Sequence, residues 1–179
     1  MGIYTLFITD SLGCIYMEDH EVFENPDVVL SETIYPPLCF GDANGSITID
    51  ISGGTSPLSY SWLNAAGTPD SVYNLMDNTY YINTIDDLGC TFEDSVLVSA
   101  PDLLIVSFSG YTNPLTCNGG QTLINANIIG GISPYTLLWN TGNVEDTLHQ
   151  IIASYGNFEI DVLDENGCSA NQQILLNKF

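Results

Sequence analysis

The sequence predicts an all-β protein of tandem immunoglobulin-like β-sandwich domains with no significant helix. Three observations predict it. Short segments alternate apolar and polar residues between clusters of Gly, Pro, Asn and Asp, the pattern of half-buried strands joined by turns. One phrase is written three times: Tyr4-Thr5-Leu6-Phe7-Ile8-Thr9-Asp10-Ser11-Leu12-Gly13-Cys14, then Tyr80 to Cys90, then Phe158 to Cys168. Its aspartates, Asp10, Asp86 and Asp164, lie 76 and 78 residues apart, which makes the chain a tandem array. Finally, each period of about seventy-five residues holds six or seven strand-like segments and one tryptophan, Trp62 or Trp139, the size and central ring of an immunoglobulin-like sandwich.

The period divides the chain into three parts. Residues 1–24 read as the C-terminal strand hairpin of a preceding, incomplete repeat, and residues 25–100 and 101–179 as two full repeats. The chain is accordingly expected to be a piece of a longer protein. Strands are predicted over 28–34, 46–52, 58–63, 71–75, 79–86 and 91–98, and again over 103–109, 122–129, 135–139, 147–151, 157–163 and 170–176. Ile47, Ile49 and Ile51 fall on one strand face, with Thr48 and Asp50 on the other. Tyr80, Ile82 and Thr84 match Phe158, Ile160 and Val162, and also Tyr4, Leu6 and Ile8; all are expected in cores. Asp-x-x-Gly between the last two strands reads as a tight hairpin whose glycine takes a positive φ.

Composition narrows the function. Twenty-two acidic residues face one basic residue, for a formal charge of −21. Nucleic acid is excluded as a partner, because phosphate binding needs Lys or Arg to displace counterions. The same field repels anionic headgroups, so no direct membrane insertion is expected, while divalent cations are attracted. With 45% hydrophobic residues the chain can still build small cores. Catalytic signatures are missing: there is no Gly-x-Ser-x-Gly elbow, phosphate loop or His-Glu-x-x-His, and neither His20 nor His149 recurs with the repeat.

A second phrase sharpens the reading: Cys39-Phe40-Gly41, Gly45-Ser46-Ile47-Thr48-Ile49, Gly53-Gly54-Thr55 and Pro57 to Trp62, followed by an aromatic strand ending Asp86-x-x-Gly89-Cys90. This pattern resembles the SprB-type repeat of very large bacterial gliding and adhesion proteins. The second repeat departs from it at Thr122-Leu123-Ile124-Asn125, and Asn78 and Tyr155-Gly156 replace or shift the usual Gly-Thr before the aromatic strand. The resemblance implies a cell-surface adhesin of a Bacteroidetes-type bacterium, exported by type IX secretion.

Three kinds of site are expected. Five cysteines in an extracellular-looking β-protein suggest disulfides. The leading expectation pairs Cys39 with Cys90 and Cys117 with Cys168, leaving Cys14 unpaired through truncation; Cys14 with Cys39 and Cys90 with Cys117 repeat almost as well. Because the first loop and the last hairpin of a sandwich sit at opposite poles, a domain-to-domain bond such as Cys39 with Cys168 is a rival that would stiffen the array. No cofactor is needed, but calcium could bind at the repeat junctions through Asp86, Asp87 and Asp27, and through Asp164, Glu165 and Asp102; turn-capping is the competing reading of the hairpin carboxylates. Asp followed by Ser or Thr and an aliphatic residue, at Ser11, Ser71, Ser95 and Thr147, resembles an O-glycosylation motif of Bacteroidetes-type secreted proteins. The expected function is a structural stalk or filament segment that is extracellular, on a bacterial cell surface, with neighbouring repeats of the same chain as partners. The alternative is a calcium-dependent or glycan-binding module touching a surface glycan or another adhesin.

Overall fold

The computed structural model describes residues 2–117, 119–140 and 149–178. Strands β1 (Gly2–Thr9) and β2 (Ile15–Val22) form an antiparallel hairpin, paired from Gly2 with Val22 to Thr9 with Ile15, that joins no other sheet among the described residues. Seven strands follow: β3 (Val29–Tyr35), β4 (Gly45–Ser52), β5 (Ser59–Trp62), β6 (Gly67–Thr68), β7 (Ser71–Leu75), β8 (Asn78–Ile85) and β9 (Thr91–Val98). They make two sheets, ordered β3-β4-β7-β6 and β5-β8-β9. Lettered along the chain, these orders are A-B-E-D and C-F-G, the arrangement of a constant-type immunoglobulin sandwich. The same plan returns in β10 (Ile105–Ser109), β11 (Thr122–Ile129), β12 (Thr136–Trp139), β13 (Gln150–Ala153), β14 (Gly156–Leu163) and β15 (Ser169–Leu176). Their sheets run β10-β11-β13 and β12-β14-β15. The described residues contain no helix, hence none long and apolar enough to cross a membrane.

Strand alternation builds the two cores. Ile47 and Ile49 are buried while Thr48 and Asp50 between and beside them are exposed, as period-two geometry requires. Ile47, Ile49, Val72, Tyr80, Ile82 and Val96 cluster in the first sandwich. Ile124, Ala126, Leu137, Trp139, Ile160 and Val162 cluster in the second. The short β6 was not expected, and the strand predicted over 147–151 is seen as Gln150–Ala153, its predicted start lying outside the described residues.

The tryptophans are not equivalent in burial, contrary to the pattern. Trp139 is 1% exposed and stacks on Phe108 with ring centroids 5.5 Å apart. Trp62 is only half-buried and donates its indole N–H to the Pro69 carbonyl at 3.0 Å. The register explains the difference. Phe108 sits opposite Ala126 on β11, and the position opposite Ile49 on β4, its counterpart in the first sandwich, holds Glu32. A carboxylate cannot supply the ring that covers Trp139.

Topology also fixes two poles for each sandwich. Residues 36–44, joining β3 to β4, lie at one pole, and residues 86–90, joining β8 to β9, lie at the other beside Asn25 and Thr55. Cys39 and Cys90 therefore stand at opposite ends of the first sandwich.

Candidate functional site: the junction between the sandwiches

The hairpin pole is organised around one aspartate per repeat. In the second sandwich, Asp164 Oδ1 accepts the backbone N–H of Asn166 at 2.9 Å and of Cys168 at 2.8 Å, and Oδ2 accepts the N–H of Ile132 at 2.9 Å. In the first, Asp86 Oδ1 accepts the N–H of Leu88 at 3.0 Å and of Cys90 at 2.8 Å, while Oδ2 takes the Asn25 amide at 2.8 Å and the Thr55 N–H at 3.2 Å. Both aspartates are buried. The Asn25 hydrogen bond, followed by the backbone donors of Cys90, Thr55 and Leu88, holds the Asp86 carboxyl below its ordinary value of 3.8 against the opposing cost of burial. These carboxylates close a turn and tie it to the neighbouring Gly-Gly loop.

That loop explains its glycines. Gly53 and Gly130 have φ of 78° and 71°, and a Cβ at either would strike a carbonyl oxygen, of Asp27 or Leu103 respectively, at about 2 Å. The following glycines, Gly54 and Gly131, donate to the carbonyls of Pro26 at 3.0 Å and Asp102 at 2.8 Å. Asp87 and Glu165 complete the pole through their N–H groups, bound to the Thr55 and Ile132 carbonyls at 3.0 and 2.9 Å.

The hairpin pole of the second sandwich meets the loop pole of the first. Cys168 is bonded to Cys39, with Cα atoms 5.7 Å apart. The Asn166 side-chain amide donates to the Leu38 carbonyl at 2.8 Å. Asp164 thus sets the backbone of both residues that grip the first sandwich. Beside the bond, a groove of about 650 Å³ is lined by Tyr35, Pro37 and Leu38 from one side and by Ala100, Pro101 and Ile132 from the other. The junction is crossed covalently twice, by the backbone at Ala100-Pro101 and by the disulfide.

This arrangement corrects the leading disulfide expectation. Cys39 does not pair with Cys90, nor Cys117 with Cys168; Cys14, Cys90 and Cys117 are free and exposed. The reason is polar separation: within one repeat the loop and hairpin cysteines are a full sandwich apart, whereas stacked repeats bring the loop of one against the hairpin of the next. The carboxylates named for calcium do not converge. Asp86 and Asp164 spend their oxygens on N–H donors, and among the described residues no three His, Cys, Asp or Glu side chains are grouped to hold a metal ion. Ser11 and Ser95 are exposed and Ser71 is half-buried at the start of β7; Thr147 lies outside the described residues.

Residues 31–67, from β3 through the Cys39 loop and β5 to Gly67, match the model of the SprB repeat. The chain carries a SprB repeat. The SprB match is confined to the first sandwich, and the second is its equivalent by strand order and by the pole described above. No curated protein matches the sequence. Among solved structures, the chain is similar to the C-terminal 282-residue fragment of intimin in complex with the intimin-binding domain of its translocated receptor, at 9% identity over 84% of this chain and 64% of that one, with a TM-score of 0.42. It is also similar to the mouse nectin-like molecule 4 ectodomain, at 9% identity over 87% and 64% of the two chains and a TM-score of 0.45. A third is the N-terminal eight-Ig-domain segment of Down Syndrome Cell Adhesion Molecule, at 14% identity over 99% and 27% and a TM-score of 0.45. The chain spans less than two thirds of the length of each of these. The immunoglobulin-like assignment rests on the strand order, and the SprB match rests on residues 31–67 of the first sandwich.

Proposed function

We propose that this chain is a non-enzymatic spacer: a stiff stalk segment of an extracellular bacterial adhesin serving gliding motility or surface attachment, exported by type IX secretion as its SprB repeat implies. The observation that carries the reading is the doubly tethered junction. A single peptide tether lets two domains swing freely, and such interfaces are mobile by default. A second covalent tether at Cys39–Cys168 removes the swing away from it, and the Asn166 to Leu38 hydrogen bond opposes the twist that remains. Load applied to one end passes along antiparallel ladders and across the junction by covalent bonds. The acidic surface keeps neighbouring arrays apart through like-charge repulsion.

Small-angle scattering tests the spacer directly. The oxidised chain should show one narrow interdomain distance, and Cys39→Ser should broaden it while hardly moving the unfolding of either sandwich. A broad distribution in the oxidised parent chain would remove the support for a stalk.

A further inference from the structure

The cysteines left free repeat the positions of the two that are bonded. Cys117 is placed as Cys39 is. Each follows the first strand of its sandwich, each carbonyl accepts the N–H three residues on (Asp42 at 3.1 Å, Gly120 at 3.0 Å), and each is followed two residues later by a glycine with φ of 79° or 78°. Cys90 is placed as Cys168 is. Their N–H groups donate to Asp86 and Asp164 at the same 2.8 Å, and the residue after each aspartate is held by Thr55 or Ile132. Cys14 belongs to the same class, with its N–H on Asp10 at 2.9 Å. Cys117 lies at the outer pole of the second sandwich and Cys90 at the outer pole of the first, so they cannot meet within one chain, and both are exposed.

We propose that Cys90 and Cys117 are open halves of the bond seen between Cys39 and Cys168. Cys117 bonds the hairpin cysteine of a following copy of the repeat, and Cys90 bonds the loop cysteine of a preceding copy. Array growth then places one disulfide at every junction, a covalent ladder beside the backbone. The ladder extends the spacer reading and rests on it only in requiring head-to-tail copies. The two ends differ in completeness. A following copy would bring its own counterpart of Asn166 to the Thr116 carbonyl, which stands where Leu38 stands in the observed junction. On the other side Leu88 replaces Asn166, so the bond at Cys90 forms without that amide.

The oxidant is a small-molecule disulfide such as glutathione disulfide. The Cys117 thiolate attacks one of its sulfurs and expels a first glutathione thiolate. The hairpin cysteine's thiolate then attacks the Cys117 sulfur of the mixed disulfide and expels the second. Two protein thiols lose their protons and two electrons to become one S–S bond, and the glutathione disulfide becomes two thiols.

The test extends the intact chain. Residues 1–178 are followed by a second copy of 101–178, refolded with oxidised and reduced glutathione, alkylated without reduction and mapped by mass spectrometry. The proposal requires Cys39–Cys168 together with Cys117 bonded to the added copy of Cys168, leaving Cys14, Cys90 and the added copy of Cys117 alkylated. Changing the added Cys168 to Ser should return Cys117 to the alkylated pool. A second extended chain, with residues 25–77 placed before Gly2, should bond the added copy of Cys39 to Cys90. Alkylated Cys117 in the folded first extended chain and alkylated Cys90 in the folded second would overturn the ladder, as would Cys117 bonded to Cys168 of its own repeat. The spacer reading would survive that result if scattering still showed a narrow distance distribution. Failure of both extended chains to fold a third sandwich would overturn both readings, since it would deny head-to-tail stacking itself.

Discussion

The β1–β2 hairpin and the β8–β9 hairpin are written in nearly the same words and meet different fates. Their turns agree: Asp10 Oδ1 accepts the N–H of Leu12 at 2.8 Å and of Cys14 at 2.9 Å, as Asp86 does for Leu88 and Cys90. Their strands do not. Leu6 is 47% exposed and its equivalent Ile82 is 1% exposed, because β8 faces a second sheet and β1 faces none. The lesson is that a turn is a local object, closed by a side chain reaching two to four residues along the chain. A core is a meeting of strands far apart in sequence.

Substitutions at matched positions sharpen this contrast. The largest effect belongs to the core. Ile82→Ala should destabilise the first sandwich by about 2–5 kcal/mol, whereas Leu6→Ala should stay within about 0.5 kcal/mol of the parent chain. Denaturation followed by tryptophan fluorescence reads the first sandwich in a Trp139→Phe background and the second in a Trp62→Phe background, since Trp62 and Trp139 lie one in each. Equal costs at the two sites would mean that the hairpin has a second layer after all.

Next come the glycines. Gly13 and Gly53 both have positive φ, but a Cβ at Gly13 meets nothing within 4 Å, while at Gly53 it overlaps the Asp27 carbonyl. Gly53→Ala should therefore lower the Trp62 transition by more than the 1–2 kcal/mol, roughly, of left-handed strain alone. Gly13→Ala should leave both tryptophan transitions where they were.

A smaller effect should run the other way. Thr84 is fully buried, its hydroxyl has no hydrogen-bond partner among the described residues, and Val162 occupies the equivalent place in the second sandwich. Thr84→Val should stabilise the first sandwich by about 1 kcal/mol, seen as a raised denaturation midpoint with an unchanged slope.

The smallest effect depends on pH. Asp86 has a folded-state pKa below its ordinary 3.8, chiefly through Asn25. Its contribution is thus complete above about pH 5 and is lost as pH falls through 3.8 toward the depressed folded value. The stability gap between the parent chain and Asp86→Asn should be constant from neutral pH to about 5 and close below 4. Asp10 is also lowered, first by the Cys14 N–H, yet Asp10→Asn should move neither tryptophan transition at any pH, since its turn bears on no core. A gap at Asp86 that widens in acid would contradict the role assigned to its hydrogen bonds.

Much of the junction was readable as parts and not as an assembly. The Asp-x-x-Gly turns, the Gly-Gly loop and the repeat boundaries all stand in the sequence as short-range signals. Asp86 and Asp164 were readable as turn-capping residues, but their second oxygens reach 30 or more residues away to Thr55 and Ile132, and no local pattern announces that. Asn166 was missed entirely. Its one distinguishing contact spans 128 residues, to a backbone carbonyl that carries no side-chain signature. Trp62 and Trp139 hold equivalent places on their strands, but their burial differs because Glu32 in one sandwich and Phe108 in the other stands on the first strand of the facing sheet.

By itself the sequence determined the strands, their inward faces, the hairpin turns and the repeat, since each follows from the pleat or from the positive φ of a glycine. Tertiary structure decided which repeated faces became cores and which cysteines met. A periodic chain offers every cysteine several partners at equal spacings, and sequence distance cannot choose among them. The choice falls to the poles: antiparallel strands carry loop and hairpin to opposite ends of one sandwich, and end-to-end stacking sets Cys39 against Cys168.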